Sequence, residues 1–195
     1  HTDAEVLILS NPDVLYLPGS VAALLESLQG GAQIAGPRLY WDLKSRLLHP
    51  VLPPRSLRDE IARLRARLNP RLAYKVRQAY RRHLLRHWTA TSPVRTFSLS
   101  GSVLAMTRKA WTATGGFDER FFCYYEDFDL GFRLRLYDQR CRLLPDAVVH
   151  HVGSALTGGQ QGDFSIYHAH RNMVWTFFKN MPAGYLWRYL PMHIL

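Results

Sequence analysis

Residues 115–135 read GGFDERFFCYYEDFDLGFRLR. The glycine pair breaks whatever element precedes it. Two phenylalanines and two tyrosines then lead into three acids, Glu126, Asp127 and Asp129. Beyond them Phe128, Leu130, Phe132, Leu134 and Leu136 recur among Arg and Asp, so 126–137 reads as a helix that begins at the acids. The positive end of the helix macrodipole keeps carboxylates ionised there. An ionised carboxylate can accept a proton from a hydroxyl, and the aromatic faces before it, Tyr125 included, suit a sugar ring. Acids at a helix start also occur with no role beyond the dipole.

Outward from this stretch the chain follows βαβ grammar. Upstream, 96–107 reads as a strand with Ser100-Gly101-Ser102 inside it, and 109–114 as a short helix closed by the glycine pair. Downstream, 141–144 and 147–151 read as two short strands, and 167–180 as an aromatic-rich helix. Near the start, Glu5 to Leu9 reads as a buried parallel strand ending in a turn at Asn11-Pro12-Asp13. Ligands of open α/β sheets bind at such strand ends. Asp13 is therefore placed to hold a divalent cation against phosphate oxygens, or simply to cap the next helix. That helix starts at Pro18-Gly19-Ser20 and ends at Gly30-Gly31, with a strand next at Ile34-Ala35. The expected fold class is α/β, a mixed sheet with flanking helices.

At 195 residues and 47% hydrophobic, the chain supports one domain with a substantial core and is neither disordered nor collagen-like. Two cysteines, Cys123 and Cys141, exclude a disulfide framework and a paired-cysteine zinc site. No run of about 20 apolar residues marks a bilayer span. The net charge of +10 has one source: residues 55–95 hold 12 Arg and Lys against 2 acids, while the remainder balances at 13 and 13. Within this segment Leu57, Ile61, Leu64, Leu68, Leu72, Val76, Tyr80 and Leu84 recur every three or four residues, an apolar stripe on a cationic helix. Ser56 with Asp59 fits a capping box, and Asn69-Pro70 an N-cap followed by proline. Residues 53–95 are thus expected to be an inserted basic helical hairpin. Its stripe either packs on the domain or meets an anionic membrane along 55–88. Nucleic-acid binding is not expected, because leucine and alanine stand where base-stacking or base-reading side chains would be needed.

The pattern Gly115, Gly116, Phe117, Asp118, Glu119, then Phe121 and Phe122, then Glu126, Asp127, Asp129, Leu130 and Arg133 resembles the bacterial rhamnosyltransferase-like branch of the family 2 inverting glycosyltransferases, of the GT-A (Rossmann-like) type. The resemblance covers most of the chain outside 53–95 and is strongest over 100–182. It implies that Asp127 is the general base and that Glu126 supports it or touches the acceptor. It also implies that Asn11 to Asp13 stands for an Asp-x-Asp motif, with Asp13 binding Mg or Mn. Ser100, Gly101 and Ser102 match the family's small-residue segment, which leaves room at the site. In His150-His151-Val152-Gly153 a histidine would complete the metal shell, His151 by alignment on Val-Gly and His150 as second choice. Strand alternation points one of the two at the cleft, unless both are satisfied by backbone hydrogen bonds. Residues 170–182 resemble the family's closing helix, so Arg171 would face the diphosphate or make a surface salt bridge. Tyr125 and Asp129 are further candidates for donor or acceptor contacts.

The expected organisation is 1–195 as the C-terminal catalytic portion of a glycosyltransferase domain, with the nucleotide-binding segment upstream of His1. The expected function is metal-assisted, inverting sugar transfer from a nucleotide-diphosphate sugar to a lipid-linked or polysaccharide hydroxyl in cell-envelope polysaccharide biosynthesis. The expected location is cytoplasmic, peripheral at the inner face of the membrane. The rival is a basic amphipathic membrane- or nucleic-acid-binding module without catalysis.

Overall fold

The computed structural model describes residues 3–51, 62, 65–151, 162–184 and 186–188. Its strands are β1 (Val6–Ser10), β2 (Val14–Tyr16), β3 (Ile34–Tyr40), β4 (Val94–Thr96), β5 (Val103–Thr107) and β6 (Cys141–His151). Its helices are α1 (Ser20–Gln29), α2 (Pro70–Trp88), α3 (Arg108–Thr114), α4 (Glu126–Leu136) and α5 (Asp163–Asn180), with a 3-10 turn at Glu119–Phe121.

The strands form one mixed sheet in the order β1-β5-β3-β6-β2, with β4 also on β6. Alternation along the strands sorts the core into two layers. Ile34, Leu104, Met106, Cys141 and Leu143 pack with Leu130 and Leu134 of α4 and Ala110 of α3. Their neighbours Ala35, Ala105, Leu144 and Ala147 pack with Leu24 and Leu28 of α1 on the opposite face. The small side chains of that second layer let α1 lie close, and Ser20 pins it by donating to the Val148 carbonyl at 2.6 Å.

Two elements differ from the reading of the sequence. β1 is an edge strand, antiparallel to β5 and half exposed, where a buried parallel strand is expected. An apolar run alone does not distinguish an edge from a centre. The two short strands after 140 are one, β6, because the β3 register passes from Pro37 opposite Leu144 to Arg38 opposite Val148. Residues 145–147 have no partner in that register, as suits a proline without an N–H for the ladder, and Ala147 among them stays fully buried in the α1 layer. β6 is parallel to β3, and its other edge carries β4 and β2 end to end, both antiparallel.

Of the inserted hairpin, the second helix is α2. Asn69 caps it, its Oδ1 accepting from Arg71 N–H at 3.0 Å and Leu72 N–H at 3.1 Å, with Pro70 as the first helical residue. The capping box at Ser56 and Asp59 and most of the first helix lie outside the described residues, as do Val152 and Gly153. Among the described residues no helix is long and apolar enough to cross a membrane.

Candidate active site

The carboxyl ends of β1, β3 and β6, the turn before β5 and the start of α4 meet around a cleft of about 880 Å³. Four segments supply its polar wall. Asn11 to Asp13 follow β1, and the Asn11 N–H donates to the Ser102 carbonyl at 2.8 Å, tying that turn to the one before β5. Pairing of β2 with β6 sets Val14 opposite His151 and so carries Asp13 alongside that histidine. His151 Nε2 lies 3.2 Å from Asp13 Oδ1 and 3.4 Å from Asn11 Nδ2. Its other nitrogen, Nδ1, is 3.2 Å from Ser102 Oγ, which accepts from Ser100 Oγ at 3.1 Å. The Ser100–Ser102 turn therefore orients the imidazole from behind and leaves Nε2 on the side of the acid.

The same turn holds Asp127. The Gly101 N–H donates to its Oδ2 at 2.9 Å and the Phe128 N–H to its Oδ1 at 2.7 Å. Gly101 is required by space: a Cβ there would stand 2.8 Å from Glu126 Oε1. Glu126 lines the cleft beside Asp127, and its Oε2 is buried without a hydrogen-bond partner. Burial first, and the Asp127 charge second, push Glu126 up to about 8. Burial also raises Asp127, but the two backbone N–H groups favour its ionised form. Where the pair holds a single proton, these two bonds favour the charge on Asp127 and the proton on Glu126.

A strained loop delivers these acids. Phe122, Tyr124 and Tyr125 all have positive φ, at 64°, 65° and 69°, which for bulky residues persists only where the surroundings enforce it. The enforcing group is Asn172 of α5, fully buried, whose Nδ2 reaches the carbonyls of Phe121 at 2.8 Å, Cys123 at 2.7 Å and Tyr124 at 2.8 Å. Tyr124 Oη adds a 2.8 Å bond to Ser165 Oγ on the same helix.

Of the residues expected at the site, Asp13, Ser100, Gly101, Ser102, Tyr125, Glu126, Asp127 and His151 all line the cleft. Three others point elsewhere. Asp129 is fully buried behind the acids, accepting from Arg133 Nε at 2.8 Å, Lys179 Nζ at 2.9 Å and Asn180 Nδ2 at 2.9 Å. Two residues along a helix turn by about 200°, so Asp127 and Asp129 face opposite ways. Arg171 lies over Tyr167 and Trp175 and donates to the carbonyls of Arg120 and Phe121. His150 turns to the other face of β6, against Tyr40 and 2.9 Å from Ser45 Oγ. Sequence reasoning missed Asn172 as the loop's clamp, and it missed the far wall of the cleft, Arg38, Trp41, His49, His87 and Trp88. Nothing in the spacing of those residues announces that they converge.

A mixed sheet with helices on both faces and paired acids in a cleft at its parallel strand ends defines a domain of the GT-A glycosyltransferase type. The chain belongs to the glycosyl transferase family group 2, whose family model matches residues 73–195. Among its relatives are the N-acetylglucosaminyl-diphospho-decaprenol L-rhamnosyltransferases of two Mycobacterium tuberculosis strains, CDC 1551 / Oshkosh and ATCC 25618 / H37Rv. Each is 33% identical over 184 residues, which is 93% of this chain and 57% of the relative. The chain thus spans little more than half the length of those relatives. A crystal structure of GalNAc-T7 with UDP, GalNAc and Mn2+ shares the fold at a TM-score of 0.54 and 16% identity, over 89% of this chain and 31% of that one.

Proposed function

We propose that the chain forms the acceptor-side catalytic part of an inverting glycosyltransferase that moves a sugar from a nucleotide-diphosphate donor to a hydroxyl of a lipid-linked glycan. The observation that carries this reading is the acid pair: Asp127 accepting from the Gly101 and Phe128 N–H groups, with Glu126 beside it in the same cleft. Asp127 takes the proton of the acceptor hydroxyl as that oxygen attacks the anomeric carbon from the face opposite the leaving diphosphate. Protonated Glu126 donates a hydrogen bond to a sugar hydroxyl and, being neutral, does not repel the diphosphate. Tyr125 and the neighbouring aromatic groups exclude water and offer a ring face to the sugar. The lipid-linked acceptor and the rhamnosyl class of donor are taken from the mycobacterial relatives, whose names state both. The reaction belongs at the cytoplasmic, inner face of the membrane, where donor and lipid carrier meet.

The donor set at the other wall fits a divalent cation such as Mg or Mn: a carboxylate and an imidazole 3.2 Å apart, with an amide beside them. Among the described residues no group of three His, Cys, Asp or Glu side chains is assembled, so a cation here would take most of its shell from substrate phosphates and water. Asp13 and His151, with Asn11 adjacent, would hold the cation, which would neutralise charge developing on the diphosphate. Ser102 keeps the His151 ring turned for that task.

The decisive experiment is a screen of nucleotide sugars against a polyprenyl-diphosphate-linked N-acetylglucosamine acceptor, with the anomer of the product determined. Inverted product that disappears in Asp127→Asn supports the reading. Retained configuration, or near-normal turnover in Asp127→Asn, overturns it.

A further inference from the structure

We propose that the rim of the cleft is a docking surface for an anionic lipid bilayer, with α2 gathering headgroups and an aromatic cluster centred on Phe122 entering the interface. This goes beyond the transferase reading and does not depend on it.

The first observation is the charge of α2. Its 19 residues include Arg71, Lys75, Arg77, Arg81, Arg82 and Arg86 and no acid. All six cations are exposed, as are Tyr74, Tyr80 and Leu85 between them. These six are half of the 12 cations of 55–95, and outside that segment the chain is electrically balanced, so the positive field belongs to this segment, with α2 a large part of it. The helix also ends at the cleft, since His87 and Trp88 of its last turn line that space.

The second observation lies at the same cleft. Phe122 lines the cleft on the loop that delivers the acids, is 75% exposed and has φ 64°. Its ring lies 6.4 Å from that of Phe164 and 5.6 Å from that of His168, the exposed Phe164 ring lies 4.4 Å from that of His168, and the exposed Tyr167 ring lies 5.2 Å from that of His168. A large apolar side chain held outward by a left-handed backbone is unfavourable in water on both counts. A membrane interface reverses the first, because aromatic side chains settle at the boundary of headgroup and acyl chain. Cationic attraction to anionic lipid and shallow aromatic insertion are the two components of interfacial binding. Both stand at one cleft, which His87 and Trp88 of α2 and Phe122 line together. A nucleic acid would use the cations and leave the cluster at Phe122 in water.

The test is co-sedimentation of the full chain with phosphatidylcholine vesicles and with mixed phosphatidylglycerol–phosphatidylcholine vesicles, with no donor or acceptor present. The expected result is binding to the mixed vesicles at least about tenfold tighter than to phosphatidylcholine alone, weakening as salt is raised. Arg77→Glu with Arg81→Glu and Arg82→Glu should abolish that preference, and the milder triple change to Gln should weaken it, both with an unchanged circular dichroism spectrum. Phe122→Ala with Tyr167→Ala should weaken binding to mixed vesicles while leaving its salt dependence in place. Equal binding to both vesicle types, binding to neither, full binding by the triple Glu variant, or tighter binding to duplex DNA than to mixed vesicles at the same salt would each overturn the proposal. A transferase assay with a soluble acceptor reads the catalytic proposal separately, because vesicle binding needs no turnover.

Discussion

Asp127 and Glu126 are adjacent in sequence and chemically alike, yet the fold gives them different protons. Asp127 accepts two backbone N–H bonds, whereas Glu126 keeps an oxygen buried with none. The expected consequence is a bell-shaped pH–rate profile whose alkaline limb falls near 8, the value to which Glu126 is pushed. In Glu126→Gln the alkaline limb should disappear while the acid limb stays. An unchanged alkaline limb in that variant would assign it to another group. Asp127→Asn should lower kcat by about 10²–10⁴-fold with little change in KM, the range for loss of a positioned base. Gly101→Ala probes the same junction sterically. The new Cβ would meet Glu126 Oε1 at 2.8 Å, so the acid must turn out of place, and kcat should fall by more than tenfold on the same scale while the melting temperature changes little. A large loss of melting temperature would show instead that the turn itself is disrupted.

At the scale of elements, the loop 121–125 is strained and α5 holds it. One amide, Asn172 Nδ2, serves three carbonyls of that loop. Asn172→Leu would take this donor from the Cys123 and Tyr124 carbonyls, while the Phe121 carbonyl keeps Arg171 and the Cys123 N–H, at a cost of about 2–4 kcal/mol, and the loop would relax toward ordinary φ values. Chemical denaturation should show that loss together with a fall in kcat, and Asn172→Asp should not restore it, because a carboxylate has no N–H to donate. Equal activity of the folded Leu variant would show that the loop keeps its shape unaided. The limits of sequence reading are plain here. Hydrophobic spacing located α4 from its first acid and α2 from its proline-marked start, because each signal is local. The clamp could not be read, since Asn172 and the loop lie about 50 positions apart and an asparagine within a helix carries no mark of what it reaches. Asp129 was drawn to the site by its neighbours in sequence. The helical rotation of about 200° between it and Asp127 instead points it at Arg133, Lys179 and Asn180. The histidine pair is a mixed case: a period of two sends only one of the two to the cleft, the resemblance picks His151, and β6 turns His151 to the cleft and His150 to the other face.

For the molecule as a whole, the cleft is where titratable groups are withdrawn from water, and this gives stability a dependence on pH with two opposed slopes. His49, in the cleft wall, is lowered to about 4 by burial and by the nearby His151. Between that value and the ordinary value of 6.5 the unfolded chain binds a proton that the folded chain does not, so this contribution is complete above 6.5 and is lost as pH falls toward 4. Glu126 acts in the other direction. Its folded value lies above the ordinary 4.5, so the folded chain binds the extra proton, and stability falls as pH rises from 4.5 to about 8. The two terms leave the greatest stability at mildly acidic pH. Measured by denaturant titration at a series of pH values, Glu126→Gln should gain on the wild type progressively between pH 5 and pH 8, by on the order of 2 kcal/mol at the upper end. His49→Asn should reduce the acid-side loss, to which His83, also lowered by burial, and the ion-paired Asp118 contribute as well, and should leave the alkaline one. Parallel curves for Glu126→Gln and wild type would mean that the carboxyl is solvated in the folded chain, and the division of one proton and one charge between Glu126 and Asp127 would fail with it.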